Sequence, residues 1–414
     1  MTARPQQGPL AGMRVLDLSH VMAGPICGLM LADMGADVIK IESLDGGDTS
    51  RQMLTPSIKG EPASFMMMNR NKRGLALDLK KPKGKEVLKR LTRGADVLIE
   101  NYRYGTMEKL GLGYDTLQAE NPGLIYCEIS GYGRTGPLAK KGGFDLVAQG
   151  MSGLMAITGE GPGRPPVKVG SPITDITAGL IAAMGVAAAY AHKLKTGQGQ
   201  RVDTSLFEAG VTHTYWQSAI AFATGVSPGP LGSAHPLSAP YEAFETRDGW
   251  LTLGASNQKT WLALLKVLDD PALANDDRFK ENAGRMAERP ALVAALSAHF
   301  KQRTTADWLE MLDNAGVPAG PVLSIKEMHT HPQTLARDMV PVVEHATAGR
   351  IQTIGSPVKF TGTPGGIRRA APLLGQHTRE ILGEVGYAAN EIADLLAETV
   401  VAEPSQNGGE QKHD

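Results

Sequence analysis

The sequence predicts an α/β fold, because strand-like and helix-like segments alternate from its beginning. Apolar runs over residues 13–18 (MRVLDL) and 36–42 (ADVIKIE) are typical of buried strands. Between them, a turn with Gly24 and Pro25 opens a helix that Gly35 ends. A strand–helix–strand order of this kind builds a parallel sheet. We therefore predict a Rossmann-like large domain that starts at residue 1.

The same alternation continues through the first half of the chain. Further strands are predicted over residues 75–79, 95–100, 124–130 and 201–204, and helices over 82–93, 178–191 and 205–223. The methionine run 66–68 is interpreted as core filler rather than a cofactor site, because methionine adapts to irregular gaps. The large domain is predicted to extend to residue 222.

Composition then predicts a second domain. Residues 223–239 are rich in Gly, Pro and Ser and are predicted to be a linker. A small α+β domain over 240–322 and a second linker over 323–331 follow. The large domain resumes over 332–402, and 403–414 is a polar tail.

The totals exclude several classes of protein. The chain has 414 residues, with 42 basic and 43 acidic side chains, so no basic surface for nucleic acid is expected. Cys27 and Cys127 form neither a metal-spaced cluster nor a disulfide framework, and no metal site is predicted. We see no signal-peptide core and no apolar run of membrane-spanning length. We therefore expect a cytoplasmic protein without a membrane partner.

A dinucleotide site is not predicted. The first turn offers Gly24 and Gly28 but lacks the G-x-G-x-x-G pattern that brings the backbone close to a pyrophosphate. Glu42 ends the second strand, where a ribose-binding acid would stand, but it is a weak signal alone. No tightly bound cofactor is expected.

Asp175 is the carboxylate that allows two interpretations. It follows Ser171-Pro172-Ile173-Thr174 and precedes a small-residue helix with almost no charge. An aspartate at a helix start commonly caps the helix. A desolvated carboxylate in such a place could instead serve as a nucleophile or base.

Two further groups are candidates for ligand binding. Arg70, Lys72 and Arg73 stand in the segment NRNKRG, which either holds phosphates or forms a solvated turn. Asn101, Tyr102 and Arg103 follow a strand, at the edge where open α/β sheets bind ligands.

Nine motifs in order resemble the class III CoA-transferases, which share their fold with the α-methylacyl-CoA racemases. They are LDLSHVMAGP (16–25), GADVIKIE (35–42), NRNKRG (69–74), ADVLIENY (95–102), FDLVAQGMSGLM (144–155), DITAG (175–179), TGQGQRVD (196–203), AGVPAGPV (315–322) and APLLGQHT (371–378). The resemblance extends from Pro9 to about Gly386.

The resemblance implies that the large domain binds CoA and that Asp175 is the catalytic nucleophile. Asp175 would attack an acyl-CoA to give a mixed anhydride and then an aspartyl-CoA thioester, and an acceptor acid would take the CoA. Asp145 and Gly254 fall at positions that could support catalysis. The family's CoA contacts fall on His20, Val21, Ala23, Leu77, Lys80, Asn101, Tyr102 and Lys109.

The resemblance also implies an interlocked homodimer, with each active site between the large domain of one chain and the small domain of the other. Met22 stands where formyl-CoA transferases carry a glutamine, and the insertion with their tetraglycine flap is missing. Residues 254–258 are the candidate lid. Donor and acceptor acids stay open.

Two alternatives are weighed against transfer. A 2-methylacyl-CoA racemase needs two bases, but Phe144 stands where the racemases carry histidine, and 254–258 (GASNQ) lacks their glutamate. A CoA-binding protein without catalysis would not need Asp175. The sequence therefore favours CoA transfer.

Overall fold

The computed structural model describes residues 8–404 and divides them into two compact units. Unit 1 contains the described residues up to Ser152, Gly170–His213, and the described residues from Pro332 onwards. Unit 2 contains Gly153–Val169 and Thr214–His331. Most of the predicted polar tail lies outside the described residues.

The unit boundaries differ from the predicted domain boundaries. Residues 153–169 and 214–222 belong to unit 2 rather than to the large domain, and 223–239 and 323–331 belong to unit 2 rather than to linkers. The Gly- and Pro-rich segment packs inside its unit: the Gly232 N–H donates to the Gly159 carbonyl at 2.8 Å. A high content of Gly, Pro and Ser indicates turns, but it does not distinguish a packed loop from a linker between domains.

The strands are β1 (Arg14–Asp17), β2 (Asp37–Glu42), β3 (Ser57–Ile58), β4 (Glu61–Pro62), β5 (Lys72–Leu77), β6 (Val97–Glu100), β7 (Ile125–Ser130), β8 (Arg201–Ser205), β9 (Tyr241–Glu245), β10 (Trp250–Gly254), β11 (Ala319–Pro321), β12 (Val342–His345), β13 (Gly349–Gln352) and β14 (Val401–Ala402).

The α-helices are α1 (Ala23–Asp33), α2 (Ala63–Met68), α3 (Pro82–Arg93), α4 (Thr106–Leu110), α5 (Tyr114–Glu120), α6 (Asp145–Met151), α7 (Leu154–Ile157), α8 (Ile173–Thr196), α9 (Leu206–Thr212), α10 (Tyr215–Thr224), α11 (Gln258–Leu268), α12 (Pro271–Ala274), α13 (Asn282–Ala287), α14 (Arg289–Phe300), α15 (Thr305–Asn314), α16 (Ile325–Thr330), α17 (Pro332–Ala336), α18 (Thr378–Glu384) and α19 (Ala389–Ala397). Short 3₁₀ helices cover Thr49–Gln52 and Asp277–Phe279.

Unit 1 is built on a seven-stranded sheet in the order β14-β5-β2-β1-β6-β7-β8. Six strands are parallel, and β14 joins the edge antiparallel to β5. The chain moves outward from β1 through β2 to β5, and then starts again on the other side of β1 with β6. The order therefore reverses between β1 and β6, and in open α/β sheets ligands bind at such a point. The predicted α/β fold is confirmed.

Alternating side chains of the sheet fill two separate cores. Val15, Val38 and Ile99 face α1 and α8 on one side of the sheet. Leu16 and Ile39 face the other side, where α3, α5, α18 and α19 cover them. Strands buried on both faces carry continuous apolar runs, which is why MRVLDL and ADVIKIE could be recognised from the sequence.

Helix α8 packs closely on α1 because of one glycine. A Cβ added at Gly179 would lie 2.5 Å from the Ala23 carbonyl oxygen and 2.8 Å from Ile26 Cβ. The start of α8 therefore lies beside the turn that precedes α1.

Helix α8 also corrects the expectation that no apolar run reaches membrane-spanning length. Ile173–Thr196 is long and apolar enough to cross a membrane by length and composition, with a mean hydropathy of 1.5. The core helix of an α/β domain meets the same criterion. Ala178, Ala182 and Val186 are buried against the sheet and α1, so core packing accounts for the apolar side of α8 that faces them. Of the apolar window in this helix, 39% is buried.

Unit 2 contains an antiparallel three-stranded sheet in the order β11-β10-β9. Helices α11 to α15 supply a core around Trp261, Phe300 and Trp308, in which the indole N–H of Trp308 donates to the Phe300 carbonyl at 2.8 Å. Helix α10 contributes no buried residue.

Candidate active site

A cavity of about 470 Å³ lies in unit 1 at the carboxyl edge of the parallel sheet. The segment after β1 (20–23) and the segment after β6 (101–104) form two of its walls. These are the two loops that flank the point where the strand order reverses. The structure thus brings His20, Val21, Ala23, Asn101 and Tyr102 together, as the predicted CoA contacts require.

Hydrogen bonds of the Asn101 side-chain amide join these two walls. The Asn101 Oδ1 accepts from the His20 N–H at 2.8 Å, and the Asn101 Nδ2 donates to the His20 carbonyl at 2.9 Å. The rings of His20 and Tyr102 lie 5.5 Å apart. Burial and the charge of Lys40 lower the pKa of His20, so a neutral imidazole faces the cavity at neutral pH.

Asp175 lies in the first turn of α8 and lines the same cavity. Burial, followed by the nearby charge of Asp145, raises the pKa of Asp175 to about 6. Among the described residues, none donates a hydrogen bond to its carboxylate. The carboxylate is thus partly desolvated, which makes it more nucleophilic than a fully solvated one when it is ionised.

Asp145, and not Asp175, caps α8. Its Oδ1 accepts from the Thr174 N–H at 2.9 Å and from the Thr174 hydroxyl at 2.7 Å, and its Oδ2 accepts from the Gln149 amide at 2.7 Å. The capping that the sequence allowed for Asp175 is therefore supplied by a side chain from α6. The Asp175 carboxylate stays available to the cavity.

Two glycines let the loops beside Asp145 cross at close range. A Cβ added at Gly131, after β7, would lie 2.7 Å from the Gly143 N, and one added at Gly143 would lie 2.7 Å from the Gly131 Cα. Both glycines line the cavity, as does Phe144. The crossing positions the segment that begins α6, and thereby Asp145.

Sequence reasoning placed Arg103 at the ligand-binding edge without a role and missed the other basic residues of the cavity. Arg103, Lys140 and Lys141 line it, together with Arg134 from the GYGRTGP loop. Arg134 is ion-paired with Glu100, which ends β6, at 2.7 Å and with Glu128 of β7 at 3.1 Å. The sequence did contain a signal: residues 131–143 follow a predicted strand at the ligand-binding edge, and they include three basic residues.

Arg70, Lys72 and Arg73 are neither phosphate ligands nor a solvated turn. All three are buried, and each is ion-paired: Arg70 with Asp33 at 2.6 Å, Lys72 with Asp17 at 2.7 Å, and Arg73 with Asp37 at 2.6 Å. These carboxylates neutralise the positive charges that a bound phosphate would require. The prediction of phosphate contacts is wrong for this reason.

Four other predicted site residues lie outside this cavity. Leu77 is buried in the sheet core, and Lys80 and Lys109 are exposed elsewhere on unit 1. Gly254 ends β10 in unit 2, and Asn257 caps α11 through Thr260. Their roles in CoA binding, catalysis and a lid therefore stay predictions.

Glu42, the weak ribose-binding candidate, has a partner within the fold. Glu42 is buried and bound by the Arg51 guanidinium, with 2.7 Å from Nε to Oε2, so it cannot accept from a ribose. Within residues 8–404, no group of three or more His, Cys, Asp or Glu side chains could hold a metal ion.

A desolvated carboxylate at a helix start, within a cavity at the edge of the sheet, defines a site that can carry an acyl group covalently. Comparison with known proteins agrees with this class. The sequence pattern of CoA-transferase family III matches residues 10–378. The chain belongs to CoA-transferase family III, and it is an enzyme that moves CoA between an acyl-CoA and a carboxylic acid.

Named relatives and solved structures support the assignment over the whole chain. The human succinyl-CoA:glutarate CoA-transferase is 38% identical over 97% of this chain and 92% of its own length. The succinyl-CoA–D-citramalate CoA-transferase of Chloroflexus aurantiacus is 37% identical over 97% of this chain and 100% of its own. A crystal structure of a CaiB/BaiF family protein from Brucella suis covers 92% of this chain and 100% of its own, with a TM-score of 0.83 and 37% identity.

Proposed function

We propose that Asp175 is the nucleophile of CoA transfer. The observation that carries the proposal is the division of tasks between two aspartates: Asp145 caps α8, and the Asp175 carboxylate faces the cavity without a hydrogen-bond donor among the described residues. A carboxylate suits this chemistry because its mixed anhydride and its thioester can both form reversibly.

The proposed transfer needs no reactants other than Asp175 and the two substrates. An Asp175 oxygen attacks the thioester carbonyl, the C–S bond breaks, and CoA thiolate leaves. The thiolate attacks the aspartyl carbonyl of the anhydride and releases the donor acid, which gives an aspartyl-CoA thioester. The acceptor carboxylate attacks the aspartyl carbonyl of that thioester, the C–S bond breaks, and CoA thiolate leaves again, which forms a second anhydride with Asp175. The thiolate then attacks the acceptor's carbonyl, which yields the new acyl-CoA and restores Asp175.

We further propose that succinyl-CoA is a donor and that the acceptor is a dicarboxylic acid. Two similar enzymes bear names with succinyl-CoA as donor and a dicarboxylic acid as acceptor. Arg103, Lys140 and Lys141 add positive charge to the cavity, which favours anionic substrates. CoA and its thioesters act as substrates here, and we propose that no cofactor is tightly bound.

An acceptor screen tests this function. Succinyl-CoA or acetyl-CoA is incubated with a panel of mono- and dicarboxylic acids, and new thioesters are identified by mass spectrometry. We expect new thioesters of dicarboxylic acids such as glutarate with succinyl-CoA. Transfer to monocarboxylic acids alone would contradict the proposed acceptor class.

The same enzyme sample tests the racemase alternative. Phe144 lines the cavity where a second base would be needed, and a phenyl ring cannot accept a proton. A 2-methylacyl-CoA incubated in deuterated water should therefore show no enzyme-dependent deuterium at C2 by NMR. Uptake at a rate comparable to transfer would instead favour racemisation.

We also propose that the enzyme is an interlocked homodimer. Unit 1 carries an exposed apolar surface on α6 and α8, where Leu146, Met151, Leu180 and Met184 are 43–67% exposed. Several large apolar side chains exposed on two packed helices favour an interaction site there. The chain leaves unit 1 after His213 and returns to it at Pro332, as an interlocked arrangement requires.

We propose a cytoplasmic location, supported by the two free thiols Cys27 and Cys127. Fractionation of cells that produce the protein tests this location.

A further inference from the structure

The turn that joins β1 to α1 holds a backbone conformation that its sequence disfavours. Val21 has φ +63°, in the left-handed region. A β-branched side chain rarely adopts this conformation, because its methyl groups crowd the backbone. Val21 and its neighbours His20, Met22 and Ala23 all line the cavity. The wall of the cavity is therefore strained, and something must hold it.

Two side chains from other elements hold this turn. Asn101 bridges the backbone N–H and carbonyl of His20. Asp48, from the loop after β2, accepts from the Val21 N–H at 2.9 Å through its Oδ1. The same oxygen accepts from the Ser50 N–H and the Ser50 hydroxyl, both at 2.8 Å, which fixes the carboxylate in place.

A buried lysine holds Asp48 in turn. Lys40 and Asp48 are completely buried, and the Lys40 Nζ lies 2.9 Å from the Asp48 Oδ2. Lys40 also donates to the Ser19 carbonyl, just before the turn. Against the effect of burial, the charges of Asp17 and Asp48 raise the pKa of Lys40 to about 12, so the pair stays ionised. Neither side chain is among those that line the cavity.

We propose that Asp48, fixed by Lys40, is a positioning residue that pre-organises the acyl-CoA cavity by holding Val21 in its left-handed conformation. Without this bond the turn relaxes, and CoA binding must restore it, so the apparent affinity falls. Turnover at saturating substrate changes little, because the bound enzyme has the same geometry. This inference rests on the proposed assignment of the cavity to acyl-CoA.

Paired substitutions test the inference without leaving a buried charge alone. Lys40→Met combined with Asp48→Ala removes both members of the pair, and Asp17 keeps Lys72 as its partner. CoA affinity is measured by calorimetry, and kcat and KM are measured with succinyl-CoA and glutarate. We expect the CoA affinity to fall and the KM for succinyl-CoA to rise, each at least ~5-fold, while kcat stays within ~2-fold of the wild-type value. This is the pattern expected when binding is lost equally in the ground state and the transition state.

Substitutions at Val21 separate positioning from general stability. In the double variant, Val21→Gly should restore most of the CoA affinity, because glycine adopts a positive φ without strain. Val21→Ala is the matched control: it removes the same branched carbons but keeps a Cβ, and it should restore little. CoA affinity of the double variant within ~2-fold of wild type, or equal rescue by Ala and Gly, would overturn the inference.

Two further readouts keep the outcomes distinct. In the wild-type background, Val21→Gly should melt at a higher temperature than Val21→Ala, because only glycine relieves the strain. This comparison needs no charged substitution, so the inference stays testable even when the double variant does not fold; the opposite order of melting temperatures overturns it. Absence of CoA binding by the wild-type enzyme would instead contradict the proposed site.

Discussion

At the scale of residues, Asp145 and Asp175 have different tasks because of their hydrogen bonds. Asp145 accepts three hydrogen bonds from Thr174 and Gln149, and these fix the start of α8. Asp175 is largely buried and lies near the negative charge of Asp145, and these two effects raise its pKa to about 6. A carboxylate with this pKa is ionised at neutral pH yet poorly solvated, as the proposed acyl transfer requires.

Asp175→Asn is expected to stabilise the protein at neutral pH. The pKa of Asp175 is raised from 3.8 to about 6 by folding, so the folded protein binds this proton more tightly than the unfolded chain. Ionisation therefore costs stability: the cost is absent below pH 3.8, grows as the pH rises towards 6, and is complete above it. We expect Asp175→Asn to raise the free energy of unfolding by about 1 kcal/mol at pH 7.5, allowing for partial exposure.

Urea denaturation at pH 7.5 and pH 4 measures this gain, which should be largely lost at pH 4. Asp394→Asn, at an exposed position on α19, is the matched control and should change stability little at either pH. A gain that is equal at both pH values would contradict the burial of an ionised Asp175.

Asp145→Asn is expected to shift the pH dependence of transfer. Removal of the Asp145 charge lowers the pKa of Asp175, because that charge is one of the two causes that raise it. The acid limb of kcat/KM for acyl-CoA reports the free enzyme, and it should lie near pH 6 in the wild type and at lower pH in the variant. An unchanged limb in the variant would show that Asp145 does not influence the titrating group.

Single residues were predictable where a motif and a strand end coincide. His20 and Asn101 stand at such places, Asp175 stands in a motif at a helix start, and the structure brings all three to one cavity. The basic NRNKRG segment was misinterpreted because its partners Asp17, Asp33 and Asp37 lie 36–55 residues away in the chain. Buried pairing between distant residues leaves no local pattern.

At the scale of elements, the contact between α1 and α8 determines where Asp175 lies. Gly179 leaves room for the Ala23 carbonyl, which a Cβ would approach to 2.5 Å. Sequence reasoning recognised the small-residue helix but not the element it packs against. One side of α8 is apolar because it packs on the sheet and α1, a tertiary reason that composition does not specify.

Gly179→Ala is expected to destabilise the protein by about 2 kcal/mol, because the added methyl group forces α8 away from α1. Transfer activity should fall as well, since Asp175 moves with the helix. Gly383→Ala in α18 is the matched control: the same methyl group meets open space there, and alanine favours a helix, so stability should hold or rise. Equal melting temperatures for both variants would contradict the close packing.

At the scale of the whole molecule, the apolar surface of α6 and α8 predicts the assembly. Met184 is 67% exposed in the chain alone, on a helix whose opposite side is core. Met184→Glu should convert the dimer into smaller species or aggregates in light scattering, because it places a charge in the proposed interface. Gln198→Glu adds the same charge at an exposed position beyond the helix and should leave the dimer intact. A wild-type monomer at micromolar concentration would contradict the proposed homodimer.

The course of the chain through the two units was only partly predictable. The return of the chain to unit 1 at Pro332 coincides with the predicted boundary. The excursion of residues 153–169 into unit 2 was missed, because its Gly- and Pro-rich sequence has no periodic pattern to match with a partner. Membership of a unit depends on contacts between distant segments, which local sequence does not encode.

The most direct test of Asp175 as the proposed nucleophile is covalent trapping of its acyl intermediates. Wild-type enzyme is incubated with succinyl-CoA and then with hydroxylamine, and its peptides are examined by mass spectrometry. We predict a hydroxamate on the peptide that contains Asp175, and only when the acyl-CoA is present. Asp175→Ala should give no label and less than about a hundredth of wild-type turnover, while it still binds CoA. A label on another residue, or a variant that keeps more activity than this, would contradict the assignment of Asp175 as the nucleophile.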